Sequence, residues 1–229
     1  MQPRTTPLLP QRSVQKPASI KHRFLPVMDL LSCDLVGQVY ENDQPFDASV
    51  SFGPVTSAFN SPCPAEWLGL HVEDALVLAS GSGRKDGPIH IAAPVPALSH
   101  PDSADACEAA VRRARACPQE ICLDFDDTAF VDSGADATTH VSALRRRGFR
   151  VGIDARRSWQ SATTPTLRML IDTVRITARQ LDTEQDLVER VLSVAEEGVA
   201  IMADGARWRD SHDLCELGVS FATAPRADA

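Results

Sequence analysis

After Arg23 the apolar positions of this chain repeatedly change period, with short extended runs alternating with stretches spaced for helix. Residues 24–30 (FLPVMDL) and 33–40 (CDLVGQVY) read as strands separated by a turn at Leu31 and Ser32, and residues 48–52 as a further strand. Residues 64–80 have helical spacing, with Pro64 suited to the first turn, where its missing N–H would have no partner. A strand at 89–95 (IHIAAPV) comes next, then a helix at 102–117 that carries Arg112, Arg113 and Arg115 mostly on its solvent side. The apolar strand at 121–125 (ICLDF) runs straight into acids.

The second half is more regular. Residues 137–147 form a helix closed by Gly148, a residue that readily adopts the left-handed backbone ending a helix, and 149–154 (FRVGID) follow as a strand. A short helix at 166–171 precedes a strand at 173–177 (TVRIT). Residues 183–197 give the clearest helical pattern: Leu187, Val188, Val191, Leu192 and Val194 share one face, and Thr183 followed by Asp186 predicts a capping-box start. A strand at 199–203 (VAIMA) and a helix at 209–217, before Gly218, complete the series. Repeated strand–helix units imply parallel strands joined by right-handed crossovers, as a barrel or as an open sheet.

At 229 residues, 43% apolar and 24% charged, the chain has the make-up of one globular domain or a compact pair. Its formal charge of −8 argues against nucleic acid or an anionic membrane as partner. No apolar run is long enough to span a bilayer and no secretory signal is evident, so a cytoplasmic location is expected. Residues 1–20, with Pro3, Pro7, Pro10, Pro17, Arg4, Arg12 and Lys16, read as a flexible basic tail ahead of a folded unit at 21–229. The cysteines Cys33, Cys63, Cys107, Cys117, Cys122 and Cys215 form no CxxC pair, and the histidines His22, His71, His90, His100, His140 and His212 show no ligand spacing. Neither set marks a metal site, and no cofactor is expected.

Chemistry gathers instead where strands end: Asp124, Asp126 and Asp127 after ICL, Asp154 after VGI, and Asp204 after VAIMA. In an α/β barrel the C-terminal strand ends hold catalytic groups, and clustered carboxylates there suit Mg²⁺ or Mn²⁺. Asp also fills strand-exit turns and helix caps very often. LDFDDT at 123–128 resembles the DxDxT motif of haloacid-dehalogenase-type phosphatases, which would make Asp124 a nucleophile and Asp126 a general acid. That chemistry also needs a later lysine, and the last one here is Lys85.

A second resemblance covers residues 23–225. FLPVMDLLSCDLVGQVYEN is similar to the opening of an EAL domain, IHIAAPVPAL to the strand ending in that family's asparagine, and ICLDFDDT to its ELTE segment. GFRVGIDARRSW falls at the DDFG-type motif, TVRIT at the KID strand, and VAIMADGARWRDSHDLCELGV at the AEGVE stretch. The resemblance implies a modified TIM barrel of reduced size, in the family that hydrolyses or senses cyclic di-GMP in bacteria.

In active members, carboxylates and an asparagine hold two divalent metals that generate a hydroxide and polarise the phosphodiester. Here the EAL glutamate corresponds to Val39, or to Gln38 in a register slipped by one, and the asparagine to Ala92 or Ala93. Asp124 and Asp127 replace the ELTE glutamates, Asp154 survives beside Ala155, Arg175 replaces the KID lysine, and Asp204 the AEGVE glutamate. Too few ligands remain for a dinuclear site, leaving Asp124, Asp127 and Asp154 as weak candidates for a single metal. Leu25 and Asp43 (Asn42 in the slipped register) stand where the family contacts the nucleotide. The implied function is a catalytically inactive regulator of motility or surface attachment that binds another protein, with a non-hydrolysing cyclic di-GMP receptor and a residual metal-dependent phosphodiesterase or phosphatase as alternatives. Arg156 and Arg157 add positive charge that either holds phosphate or pairs with acids, and Trp159 and Trp208 are expected as exposed anchors for a protein partner.

Overall fold

The computed structural model describes residues 22–42, 63–81, 87–131, 134–162 and 164–225. The basic segment at 1–20, Asp43 and the strand expected at 48–52 lie outside the described residues. Among the described residues, eight strands close into a barrel in chain order: β1 (His22–Asp29), β2 (Leu35–Asn42), β3 (Ile89–Ala93), β4 (Ile121–Asp126), β5 (Arg150–Asp154), β6 (Thr173–Thr177), β7 (Ala200–Asp204) and β8 (Phe221–Thr223). Strands β2 to β8 run parallel, and β1 is antiparallel to both of its neighbours.

The local chemistry explains the reversal after β1. Asp29 Oδ1 accepts from the backbone N–H of Leu31 at 2.9 Å and of Ser32 at 2.8 Å, and Cys33 takes a left-handed φ of 66°, so the chain turns at the expected place.

The helices are α1 (Pro64–Gly81), α2 (Val95–Leu98), α3 (Ser103–Ala114), α4 (Thr128–Val131), α5 (Gly134–Arg146), α6 (Pro165–Arg168), α7 (Ala178–Thr183), α8 (Gln185–Glu196) and α9 (Ser211–Glu216). Along β4 to β7 one parity of side chains, including Leu123, Val151, Val174 and Ile201, packs outward against helix residues such as Leu144, Val191 and Val194. The other parity points into the barrel, where Val27, Val39 and Met202 form a small separate apolar cluster flanked by Leu25 and Phe221. Helices α1 and α3 approach closely at Gly69, where a Cβ would come within 3.0 Å of the Ala106 carbonyl oxygen.

The helix expected to begin at Thr183 differs. Thr177 Oγ1 accepts from Gln180 N at 3.2 Å while Gln180 Oε1 accepts from Thr177 N at 2.7 Å, so the capping box starts α7 immediately after β6. Thr183 Oγ1 donates back to the Arg179 carbonyl at 3.1 Å, Glu184 is extended at φ −122°, and α8 begins with no side-chain cap. Strand β3 also stops at Ala93, because Pro94 precedes the short α2. Helix α3 ends at Ala114, where Arg115 turns left-handed at φ 56°.

Candidate functional site

The parallel ladders bring three of the strand-end acids, Asp124, Asp154 and Asp204, into one polar cluster inside the barrel, with two arginines between them. Arg175, 1% exposed, donates from Nη1 to Asp124 Oδ2 at 2.9 Å and from Nη2 to Asp204 Oδ2 at 2.6 Å. Arg156 donates from Nη1 to the same Asp204 oxygen at 3.0 Å and grips Asp154 with Nε at 2.8 Å and Nη2 at 2.6 Å. Such planar, bidentate pairing is the geometry that suits a guanidinium and that a lysine could not reproduce. Burial alone would lower both guanidinium pKa values, but the facing carboxylates hold them above the usual arginine range.

Asp124 sits at the centre. Burial opposes its ionisation, yet His90 and Arg175 outweigh that and bring its carboxyl down to about 2. His90 Nδ1 lies 3.2 Å from Oδ1, and the Cys122 thiol donates to the same oxygen at 3.4 Å while facing Thr173 Oγ1 at 3.7 Å. Burial and the Asp124 charge push the Cys122 thiol well up. Gly152 makes this arrangement possible: a Cβ there would stand 2.3 Å from Asp124 Oδ1 and 2.6 Å from Thr173 Oγ1.

Asp127 points elsewhere. Its carboxylate accepts from Gln160 N at 2.5 Å, from Ser161 N at 3.2 Å and from the Ser161 hydroxyl, and so fastens the loop after β5. Of the three acids expected as weak candidates for a single metal, Asp127 holds this loop and Asp154 holds Arg156, and Asp124, Asp127 and Asp154 do not form a convergent group among the described residues. Among the described residues the buried side chains with convergent ligand atoms are His90, Cys122 and Asp124, all within 4.8 Å of one another.

The same loop corrects the expected exposure of Trp159, which is 7% exposed beneath the Arg190 guanidinium, 4.7 Å from its ring centroid. Arg190 also donates to the carbonyls of Trp159, at 2.5 Å, and Ser161. Trp208 is 57% exposed in a 3₁₀ turn at Trp208–Asp210, and Arg157 is exposed beside the paired Arg156.

No family model matches the sequence, and no curated protein matches it. The solved structures are informative. With 16% identity and a TM-score of 0.66, 90% of this chain aligns with the EAL enzyme Bd1971 in its cAMP and cyclic-di-GMP bound form. A TM-score of 0.68 relates 90% of it to 89% of the PaMucR phosphodiesterase in complex with c-di-GMP, at 14% identity, and to 90% of the EAL domain of Mycobacterium smegmatis DcpA, at 16%. The barrel has the EAL-domain fold. The chain spans about 60% of the length of the Bd1971 structures, and almost the whole of the DcpA domain.

Within this EAL-like barrel, Val39 and Leu25 contribute to the apolar part of the interior, and Ala92 faces Asp124 across the β3–β4 ladder without a donor atom. Ala155 is fully buried, its N–H bonded to the Arg175 carbonyl at 2.8 Å and its carbonyl to Gln180 Nε2 at 3.1 Å. Asp126 caps the start of α4 by accepting from Thr128 N at 3.1 Å, and the closed barrel sets aside the phosphatase resemblance of LDFDDT. His90, Cys122 and Thr173 were not identifiable as a group from spacing. Strand parity puts Cys122 on the Asp124 face, but only the register brings His90 opposite Cys122. Among the described residues no helix is long and apolar enough to cross a membrane.

Proposed function

We propose that this EAL-like barrel is a non-hydrolysing regulatory protein of cyclic di-GMP signalling that acts by binding another protein. The observation that carries this reading is Arg175, whose guanidinium lies between Asp124 and Asp204 and uses the carboxylate oxygens that a divalent cation would need. Arg156 does the same for Asp154 and Asp204. With Val39 and Ala92 offering no ligand atom, the donor set does not fit a dinuclear Mg²⁺ or Mn²⁺ centre, so no step of phosphodiester hydrolysis is assigned to it. The surface offered to a partner is the turn carrying the exposed Trp208 with Arg207 and Arg209, residue types that often anchor interfaces.

Purified protein is expected to leave cyclic di-GMP intact above background with either Mg²⁺ or Mn²⁺. Metal-dependent turnover that disappears in Asp154→Asn overturns the proposal. Calorimetric titration with cyclic di-GMP separates the receptor alternative: a saturable isotherm at micromolar Kd, about 8 kcal/mol of binding, replaces the protein-binding reading with a nucleotide-sensing one.

A further inference from the structure

We propose that His90, Cys122 and Asp124 form a closed, structural site for one thiolate-favouring divalent cation of the zinc class, set inside the barrel beside the arginine–carboxylate cluster. The donors differ in kind, and one imidazole, one thiol and one carboxylate is a set that suits zinc and poorly suits magnesium. All three donor atoms lie within 4.8 Å of one another, and two of the separations are close to those of adjacent corners in a small tetrahedron. His90 Nδ1 to Asp124 Oδ1 is 3.2 Å and Cys122 Sγ to the same oxygen is 3.4 Å. Bonds of about 2.0–2.3 Å to a tetrahedral ion require donor spacings of roughly 3.3–3.7 Å. All three donors come from paired strands, with His90 opposite Cys122, so the spacing is fixed by the barrel and not by a loop.

Three further observations point the same way. Arg175 bonds Oδ2 of Asp124 and leaves Oδ1 to the thiol, with the imidazole 3.2 Å from Oδ1 and 3.3 Å from Oδ2, as a supporting hydrogen bond to a ligating carboxylate would. The missing side chain of Gly152 opens the space beside Asp124 Oδ1 and Thr173 Oγ1. Charge is the third. Asp124, Asp154 and Asp204 face Arg156 and Arg175, three carboxylates against two guanidinium groups. A divalent ion that displaces the Cys122 proton to solvent adds one positive charge and neutralises the cluster. Because His90 is 3%, Cys122 0% and Asp124 1% exposed, the ion enters during folding, the three protein donors fill three corners of its tetrahedron, and burial keeps substrate from the fourth.

The test refolds the full chain from denaturant, under reducing conditions, with zinc or cobalt(II), and then removes exposed metal with a chelator. Wild type is expected to retain about one metal per chain. The cobalt form should show thiolate-to-metal charge transfer and the visible bands of a tetrahedral ion. Cys122→Ser should lose the charge-transfer band and His90→Gln the retained metal. His212→Ala should change nothing, since its exposed cluster with Asp213 and Glu216 is stripped by the chelator. Absence of chelator-resistant metal in wild type, or a band that survives Cys122→Ser, overturns the proposal. If Cys122→Ser does not refold, a wild-type cobalt spectrum without charge transfer overturns it alone.

Discussion

The two halves of the barrel interior solve the same packing problem by different means. On the side of β1, β2, β7 and β8 the space is filled by Val27, Val39 and Met202, with Leu25 and Phe221 around them. On the side of β3 to β6 it is filled by His90, Cys122, Asp124, Thr173 and Arg175, all nearly inaccessible. Dispersion contacts have no preferred direction, so the first half tolerates changes of shape that conserve volume. Buried charges must be matched atom by atom, so removing one partner strands the other in a medium that cannot solvate it.

The largest effect should follow from breaking the polar half. Arg175→Met leaves Asp124 and Asp204 without their shared cation and should lower stability by about 3–5 kcal/mol in denaturant unfolding. Adding Asp124→Asn should recover part of that loss, because the two sites are directly coupled. No recovery would mean that packing, and not charge, decides this half.

A somewhat smaller effect separates the interior from the outer layer by pH. His71, on the buried face of α1, packs against Tyr40 and Trp67, and burial, helped by the His22 charge, lowers its pKa to about 4. The unfolded chain takes up this proton below about 6.5 while the native protein does not, so stability should fall by roughly 3 kcal/mol as pH drops from 6.5 to 4. Asp124 stays ionised until about 2 and so keeps its charge through that window. His71→Leu should flatten the decline measured by unfolding at each pH. An unchanged slope would move its origin elsewhere.

The smallest effect belongs to the apolar half. Met202→Leu conserves volume and should cost less than about 1.5 kcal/mol, with no new pH dependence. A larger loss would show that Met202, the ladder neighbour of Arg175, helps hold that guanidinium in place.

The sequence carried the α/β character, most of the helices and the strand-end acids, because these depend on local period and on residues such as Pro64 and Gly148. It did not carry β8, whose Phe221–Thr223 is too short for a period, or α7, because the Thr177–Gln180 box competes with the similar Thr183 signal. At the site, the acids were visible but their partners were not. Arg175 meets Asp124 from two strands away, and Trp159 is covered by an arginine from α8. Those contacts exist only after the barrel has set the register.

Closure of the barrel rests on β1, which pairs locally with β2 but also with β8, where Val27 meets Thr223 and Asp29 meets Phe221. As the chain leaves the ribosome, the hairpin of β1 and β2 can form early, yet β1 keeps one open edge until nearly all the other strands have been made. The final seam therefore joins segments far apart in sequence, the kind of contact that slows folding and prolongs exposure to neighbouring chains.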